Sequence, residues 1–360
     1  MKPKLSLQTP APTRGRIPRV LFVALSLFTI CLAWLATAPS AGAHVRWFVD
    51  SNVTLENFEA YNLTDPEVLI WIALSITIIG LSVVLDTVLP TVRIVDSKTR
   101  HDFIELLRIM TGMSLLLTAY EGAIVAPHLT AYGSFGTVLI TLQVVIGILL
   151  MANRFIRHAA IFMIFLQLGL AIQFGILSAL EYLIVIGIAT FLLINDLPTA
   201  ELRERYKPYS VALLRIFTGI SLITLGLSEK LFGAVMAESF LAAYQWNFVS
   251  ALGLEFFTDR LFVLSAGFIE VIFGVILVLG TTTRLNVLAL SAVLLASNLL
   301  FIIEGNKEAA LVEFVGHMPV IGVALILILL GYGQRLKVTN LLPARRVNSD
   351  IKTIRVPKDA

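Results

Sequence analysis

The chain has a single cysteine, Cys31, and few charged residues. Cys31 falls in a segment that reads as an export signal, so everything after it is free of thiols. That excludes disulfides, a thiolate nucleophile and a cysteine-ligated iron–sulfur cluster from the remainder. Charged residues make up 14% of the chain and apolar ones 58%, against about 25% charged in soluble domains. With mean hydropathy at +0.89, an ordinary soluble domain is excluded and an all-α integral membrane protein is expected. The net charge of +3 accompanies no nucleotide-binding or nucleic-acid-reading motif, so no nucleic acid is expected as a partner. Five histidines occur; no two lie on facing helices at matching depth, which argues against haem.

What the chain does have is long apolar runs. A basic region (Lys2, Lys4, Arg14, Arg16, Arg19), the apolar run Val20 to Ala36 and the small-residue site Ala41-Gly42-Ala43 make 1–43 a signal peptide. An uncleaved N-terminal anchor is the competing reading. An exterior segment, 44–66, follows. Nine spans are then expected at 67–89, 103–121, 136–152, 158–177, 180–195, 209–229, 260–280, 285–303 and 314–332. Most of the 27 lysines and arginines fall in alternate loops and in the tail 336–360. By the positive-inside rule those pieces, the C-terminus included, are cytoplasmic.

Ten residues are written twice. Leu106 to Leu115 returns as Leu213 to Leu222, changed only where Met110 becomes Phe217 and Met113 becomes Ile220. Gln143-Val-Val-Ile-Gly147 followed by Arg157 likewise matches Glu270-Val-Ile-Phe-Gly274 followed by Arg284. The chain therefore divides into a lone helix at 67–90 and two copies of a four-span unit, 101–197 and 208–335. Four is even, so both copies enter the membrane from the same side, as a parallel repeat.

The copies differ in their ionisable groups. Glu270 lies near mid-span, where an unpaired carboxylate would stay protonated; its counterpart is Gln143, the same shape without the charge. Lys230 aligns with Ala123, and Glu229 aligns with Glu121 only across a one-residue gap. The second copy is therefore the expected working half, with Glu270, Glu229 and Lys230 as candidates. Arg215, about 9 Å inside its span, either snorkels, reaches an interior acid or pins two helices. Arg108 and Gln143 are expected to be structural. His44, His128 and His317 all fall on the exterior side; without ligand spacing no metal is assigned, and His317 is kept as a candidate near that surface. The aromatic loop 232–258 is expected to lie at the interface or dip back as a cap.

Leu214-Arg215-Ile216 with Gly219, Gly226 to Lys230, Gly267 to Gly274 around Glu270, and Gly280 to Arg284 resemble the DoxX family of small four-helix bacterial membrane proteins. The resemblance covers roughly 209–332, and the first copy looks like a diverged unit keeping Arg108, Gly112, Gly147 and Arg157. It implies a four-helix bundle in each half. Some members are tied to quinone-linked oxidation of sulfur compounds or to membrane oxidoreductase complexes. Two fused units, an added span and an exported leader depart from the usual single-unit form. The expectation is an inner-membrane subunit assisting a quinone-linked oxidoreductase, with partner subunits. Arg215 and Glu270 would bind a quinone headgroup or move its proton. A small-solute or metal-handling transporter and a non-catalytic scaffold recruiting partners through 232–258 are the alternatives.

Overall fold

A computed structural model describes residues 47–48, 58–89, 97–244, 246–303, 305–330 and 335–341. The expected signal, His44 and the tail beyond 341 lie outside these residues. The described chain is helical apart from one antiparallel bridge between Ala123 and Thr130. Its elements are α1 (Pro66–Val88), α2 (Ser97–Tyr120), α3 (Gly133–Met151), α4 (Ile156–Glu181), α5 (Ile184–Asn195), α6 (Ala200–Leu225), α7 (Ala234–Tyr244), α8 (Phe248–Ala251), α9 (Asp259–Leu279), α10 (Thr283–Ile303) and α11 (Lys307–Leu329). Among the described residues, eight helices are long and apolar enough to cross a membrane; the shorter α5, α7 and α8 are not. A multi-pass, all-helical membrane protein follows, because lipid offers backbone polar groups no other partner.

Local chemistry sets the helix ends. Pro66 occupies the first turn of α1, where its missing N–H costs nothing. Thr199, Thr258 and Asn306 accept from backbone N–H groups at the starts of α6, α9 and α11, supplying partners for otherwise orphaned donors. Gly175 breaks α4 with φ at 90° and ψ at 165°, a conformation that only glycine adopts without strain. The chain reverses there. Gln167 donates to the Ala179 carbonyl at 2.5 Å, and Arg157 to the Asp196 carbonyl at 2.9 Å. Of the nine expected spans, that at 180–195 is the exception: its helix, Ile184–Asn195, has 12 residues and follows a turn at Tyr182–Leu183, too short to count among the eight.

Sequence neighbours pack in order from α2 through α6, then α9, α10 and α11. The order closes on itself: α5 packs on α6 and α11 packs on α2, while α1 lies against α9. The last helix of each half therefore rests on the first helix of the other. Gly187 of α5 faces Leu214, and Gly322 of α11 faces Leu107, closely enough that an added Cβ would meet them at 3.3 and 2.8 Å. Leu107 and Leu214 hold the same place in the repeat, so the exchange is symmetric. α5 is apolar almost all round, with buried residues on most of its surface, and a helix of that kind needs neighbours on several sides.

The ends of the helices differ in character. Loops rich in lysine and arginine gather at one end, where Lys337 bridges Asp86 at 2.9 Å and Arg284 donates to the Ile328 carbonyl at 2.7 Å. Asp86 also accepts from the Thr282 N–H and from the Thr339 hydroxyl, tying α1, the turn after α9 and the start of the tail together. The start of the tail, up to residue 341, is thus held against the helices. Asp86→Ala should release it: cleavage by trypsin after Lys337, followed by mass spectrometry, should run about tenfold faster than in the wild type.

The opposite end is aromatic. α7 buries Met236, Phe240 and Leu241 in a cluster with Phe301 and Val263. Phe48, Tyr244 and Trp246 complete it, with ring centroids 4.8–6.0 Å apart at the closest pairs. The first part of the loop 232–258 is thus packed onto the helices, while Leu252 and Phe256 in its second part are exposed. Just outside α1, Asp65 accepts from Asn62 and Arg260, and these contacts hold its carboxyl below the usual range.

Candidate functional site

α6 does not end as an α-helix. Its last turn, Gly226–Leu231, widens into a π-helical turn carrying Ser228, Glu229 and Lys230. Such turns take in one extra residue and cluster at functional sites. The one-residue gap between Glu121 and Glu229 has this physical origin. Gly226 lets α6 approach α9 closely, since a Cβ there would lie 2.8 Å from the Gly267 carbonyl.

The close approach brings three candidates together. The Lys230 Nζ lies 2.9 Å from a Glu270 oxygen and 3.2 Å from Glu229 Oε2. Their side chains are 15% (Lys230), 23% (Glu270) and 0% (Glu229) exposed. Glu270 is therefore not the isolated acid its sequence context suggests. Lys230 thus serves two carboxylates at once, and removing it would take a cation from both.

At the equivalent place in the first half the site is closed. Gln143 is fully buried. Its Nε2 donates to the Leu115 carbonyl and Thr118 hydroxyl at 2.9 Å and to the Ala123 carbonyl at 3.1 Å, while its Oε1 accepts from the Val125 N–H at 2.9 Å. Every polar atom of the amide is used, and Ala123 stands where the second half has its lysine.

The duplicated arginines do something else. Arg215 donates to the Leu277 carbonyl at 2.8 Å and to the Leu336 carbonyl at 3.1 Å. Arg108 donates to the carbonyls of Leu150 and Met151. Arg157 and Arg284, also repeat partners, reach the ends of α5 and α11 in the same way. Each guanidinium thus caps the carbonyl end of a helix, where unpaired oxygens and the helix dipole both favour a cation. This pins helix to helix, as one of the sequence readings had it. Leu277 lies two turns beyond Glu270, about 10 Å along α9, so the structure does not bring Arg215 to the acid.

His317 sits in α11 against Trp47, with ring centroids 5.3 Å apart, and its Nδ1 is 2.8 Å from the Glu313 carbonyl. His128 packs instead near Tyr182. Among the described residues no three His, Cys, Asp or Glu side chains group as a metal site needs.

Two acids escaped the sequence reading. Glu181 is wholly buried, and Ser228, next to Glu229, donates to its Oε1 at 2.7 Å; Ser221 donates to its backbone carbonyl. It comes from the first half and reaches the π turn because α4 and α5 pack on α6. The available signal was an acid at the start of the apolar run 180–195. Asp86 was the other, a carboxylate just inside the end of the lone helix. No protein-family profile, curated protein or solved structure matches this chain.

Proposed function

We propose that the chain is a DoxX-like membrane subunit of a quinone-linked oxidoreductase system in a bacterial inner membrane, with its basic end toward the cytoplasm. Its two halves are DoxX-like four-helix units, the second of which does the work. The observation that carries this reading is Lys230 held between Glu229 and Glu270, opposite a first-half site that Gln143 seals.

The residues suit a quinone headgroup. A quinone carries electrons and takes up protons when it is reduced, and the electrons would come from a partner subunit. The Lys230 ammonium can donate a hydrogen bond to a quinone carbonyl oxygen. Glu270, partly exposed beside it, is the acid placed to give or take a proton at that oxygen. Glu229 keeps Lys230 charged and oriented from the buried side. Ser228 links the cluster to Glu181, which extends the path along which a proton can be stored. Arg215 stays outside this assignment, since its donors are engaged two turns away.

Purified full-length protein tests the reading. Solvent extraction should release quinone, and a short-chain quinone analogue should bind the emptied protein saturably. Glu270→Gln leaves the Lys230–Glu229 pair balanced and should still weaken that binding about tenfold, since a hydrogen bond involving a charged group contributes about 1.5–3 kcal/mol. Unchanged affinity in Glu270→Gln, or no saturable binding at all, would refute the assignment.

A further inference from the structure

The third helix of each half packs differently. In the first half α4 is zipped along α3. Gly169 lies so close to Leu139 that an added Cβ would run into its side chain, and Gln173 donates to the Tyr132 carbonyl at 2.9 Å. Met163 and Leu166 of α4 are fully buried. The counterpart in the second half is α10, and the match of Arg157 with Arg284 fixes the register: Leu290 stands for Met163 and Val293 for Leu166. Yet Leu290 is only half-buried, and Val293 is 55% exposed.

α10 is held near its two ends instead. Close to the basic end Asn286 donates to the Phe273 carbonyl of α9 at 2.9 Å, and at the other end the Phe301 ring lies 4.8 Å from that of Trp246. Asn286, Val293 and Phe301 follow one another at seven or eight residues, so they share one side of the helix. The middle of that side is bare where its first-half equivalent is core. α7, which has no counterpart among the described residues of the first half, packs on both Val263 of α9 and Phe301 of α10. It takes space that α3 and α4 fill with each other's side chains. A cleft between α9 and α10 is left below it, open to lipid. Glu270, with 23% of its side chain exposed, lies one turn from Phe273 on the same side of α9, at the inner wall of that cleft. α1 does not cover it, since α1 meets α9 elsewhere, with Trp71 stacked on Phe268.

We propose that this cleft admits a lipid-dissolved ligand sideways from the membrane, with its polar head at Glu270 and Lys230 and its apolar chain against Val293. The inference rests on the headgroup site proposed above and names its ligand class: an uncharged polar head on an apolar chain. An apolar wall with a few convergent polar groups suits such a molecule. Depth excludes an ordinary phospholipid, because Glu270 is about 16 Å along α9 from its first residue, and a charged head stays at the interface. A water-soluble ligand would have to pass the packed aromatic side chains around α7.

Photolabelling of the full-length protein in vesicles tests this, with a quinone analogue that carries a diazirine on its tail and mass spectrometry to map the labelled residues. Labelling of Leu290 should be saturable and displaced by excess short-chain analogue. Val293→Trp, which adds bulk at an exposed position, should lower that labelling about tenfold. Leu295→Trp, on the opposite side of α10 and 70% exposed in the wild type, should leave it unchanged. If the short-chain analogue binds but tail labelling spreads over all lipid-facing residues and is not displaced, or if the two tryptophan variants behave alike, the cleft is refuted and the headgroup assignment stands. If neither analogue binds saturably, both are refuted.

Discussion

Replacing Lys230 with methionine should cost about 3–5 kcal/mol of stability, the range for removing one partner of a buried ion pair. Glu229 is the reason. Its side chain is wholly buried while that of Glu270 is 23% exposed, so losing the ammonium takes a cation from a fully desolvated carboxylate, whereas the second retains some solvent. Glu270→Gln alone should cost about 1 kcal/mol or less, because the 3.2 Å pair between Lys230 and Glu229 survives. The triple variant Lys230→Met, Glu229→Gln, Glu270→Gln should recover most of the loss, since no charge is left to desolvate. Thermal unfolding of the purified variants checks all three. A Lys230→Met protein as stable as the wild type would mean that water or lipid headgroups already solvate the cluster.

Gly274→Ala should be the second severe change, at about 2–3 kcal/mol, the upper range for overpacking. A Cβ there would meet the Gly219 carbonyl and the Ile223 Cγ1, both at 2.6 Å, and the reciprocal Cβ on Gly219 would meet the Gly274 carbonyl at 2.6 Å. Backbone cannot turn aside as a side chain can, so α6 and α9 must separate. The first half repeats the motif with more slack: a Cβ on Gly147 meets the Leu116 side chain at 2.6 Å but the Gly112 carbonyl only at 3.1 Å. Gly147→Ala should therefore cost less than half as much. The same separation of α6 from α9 pulls Glu270 away from Lys230, so Gly274→Ala should also weaken the proposed binding of a quinone analogue while Gly147→Ala leaves it alone. Equal losses of stability in the two variants would contradict this asymmetry.

Much of the fold was legible because lipid permits few solutions. Hydropathy located most of the apolar helices to within a few residues, although α6 and α11 begin nine and seven residues before the expected spans, and alternate charged loops anticipated which ends meet. The internal repeat was visible as text, and its spatial meaning is clear in the matched glycine contacts of Gly112 with Gly147 and Gly219 with Gly274. What escaped depended on third partners. Hydropathy placed the turn at 177–180, whereas the positive φ that Gly175 permits places it earlier. A four-helix bundle in each half was expected from the resemblance; the apolar α5 and α11 also pack across the repeat boundary, which no sequence pattern announced.

The site shows the same division. Glu229, Lys230 and Glu270 were identified from charge in an apolar setting, yet their mutual pairing required knowing that the helix widens at Gly226. Arg108 and Arg215 were conspicuous for the same reason and turn out to cap helices, because a sequence does not show where another helix exposes its carbonyl oxygens. Glu181 and Asp86 became notable only through Ser228 and Lys337, far away along the chain.

The central claim is that the carboxyl groups around Lys230 exchange a proton and that the sealed Gln143 amide at the matching place in the first half does not. Infrared difference spectroscopy of the full-length protein in lipid, scanned over pH and in heavy water, reads this directly as the carbonyl stretch of a protonated carboxyl group. The account predicts one such titrating, isotope-sensitive band in the wild type, lost or displaced in Glu270→Gln and in Glu229→Gln and unchanged in Gln143→Leu. A spectrum with no titrating carboxyl band, or with one that survives both glutamine substitutions, would contradict it.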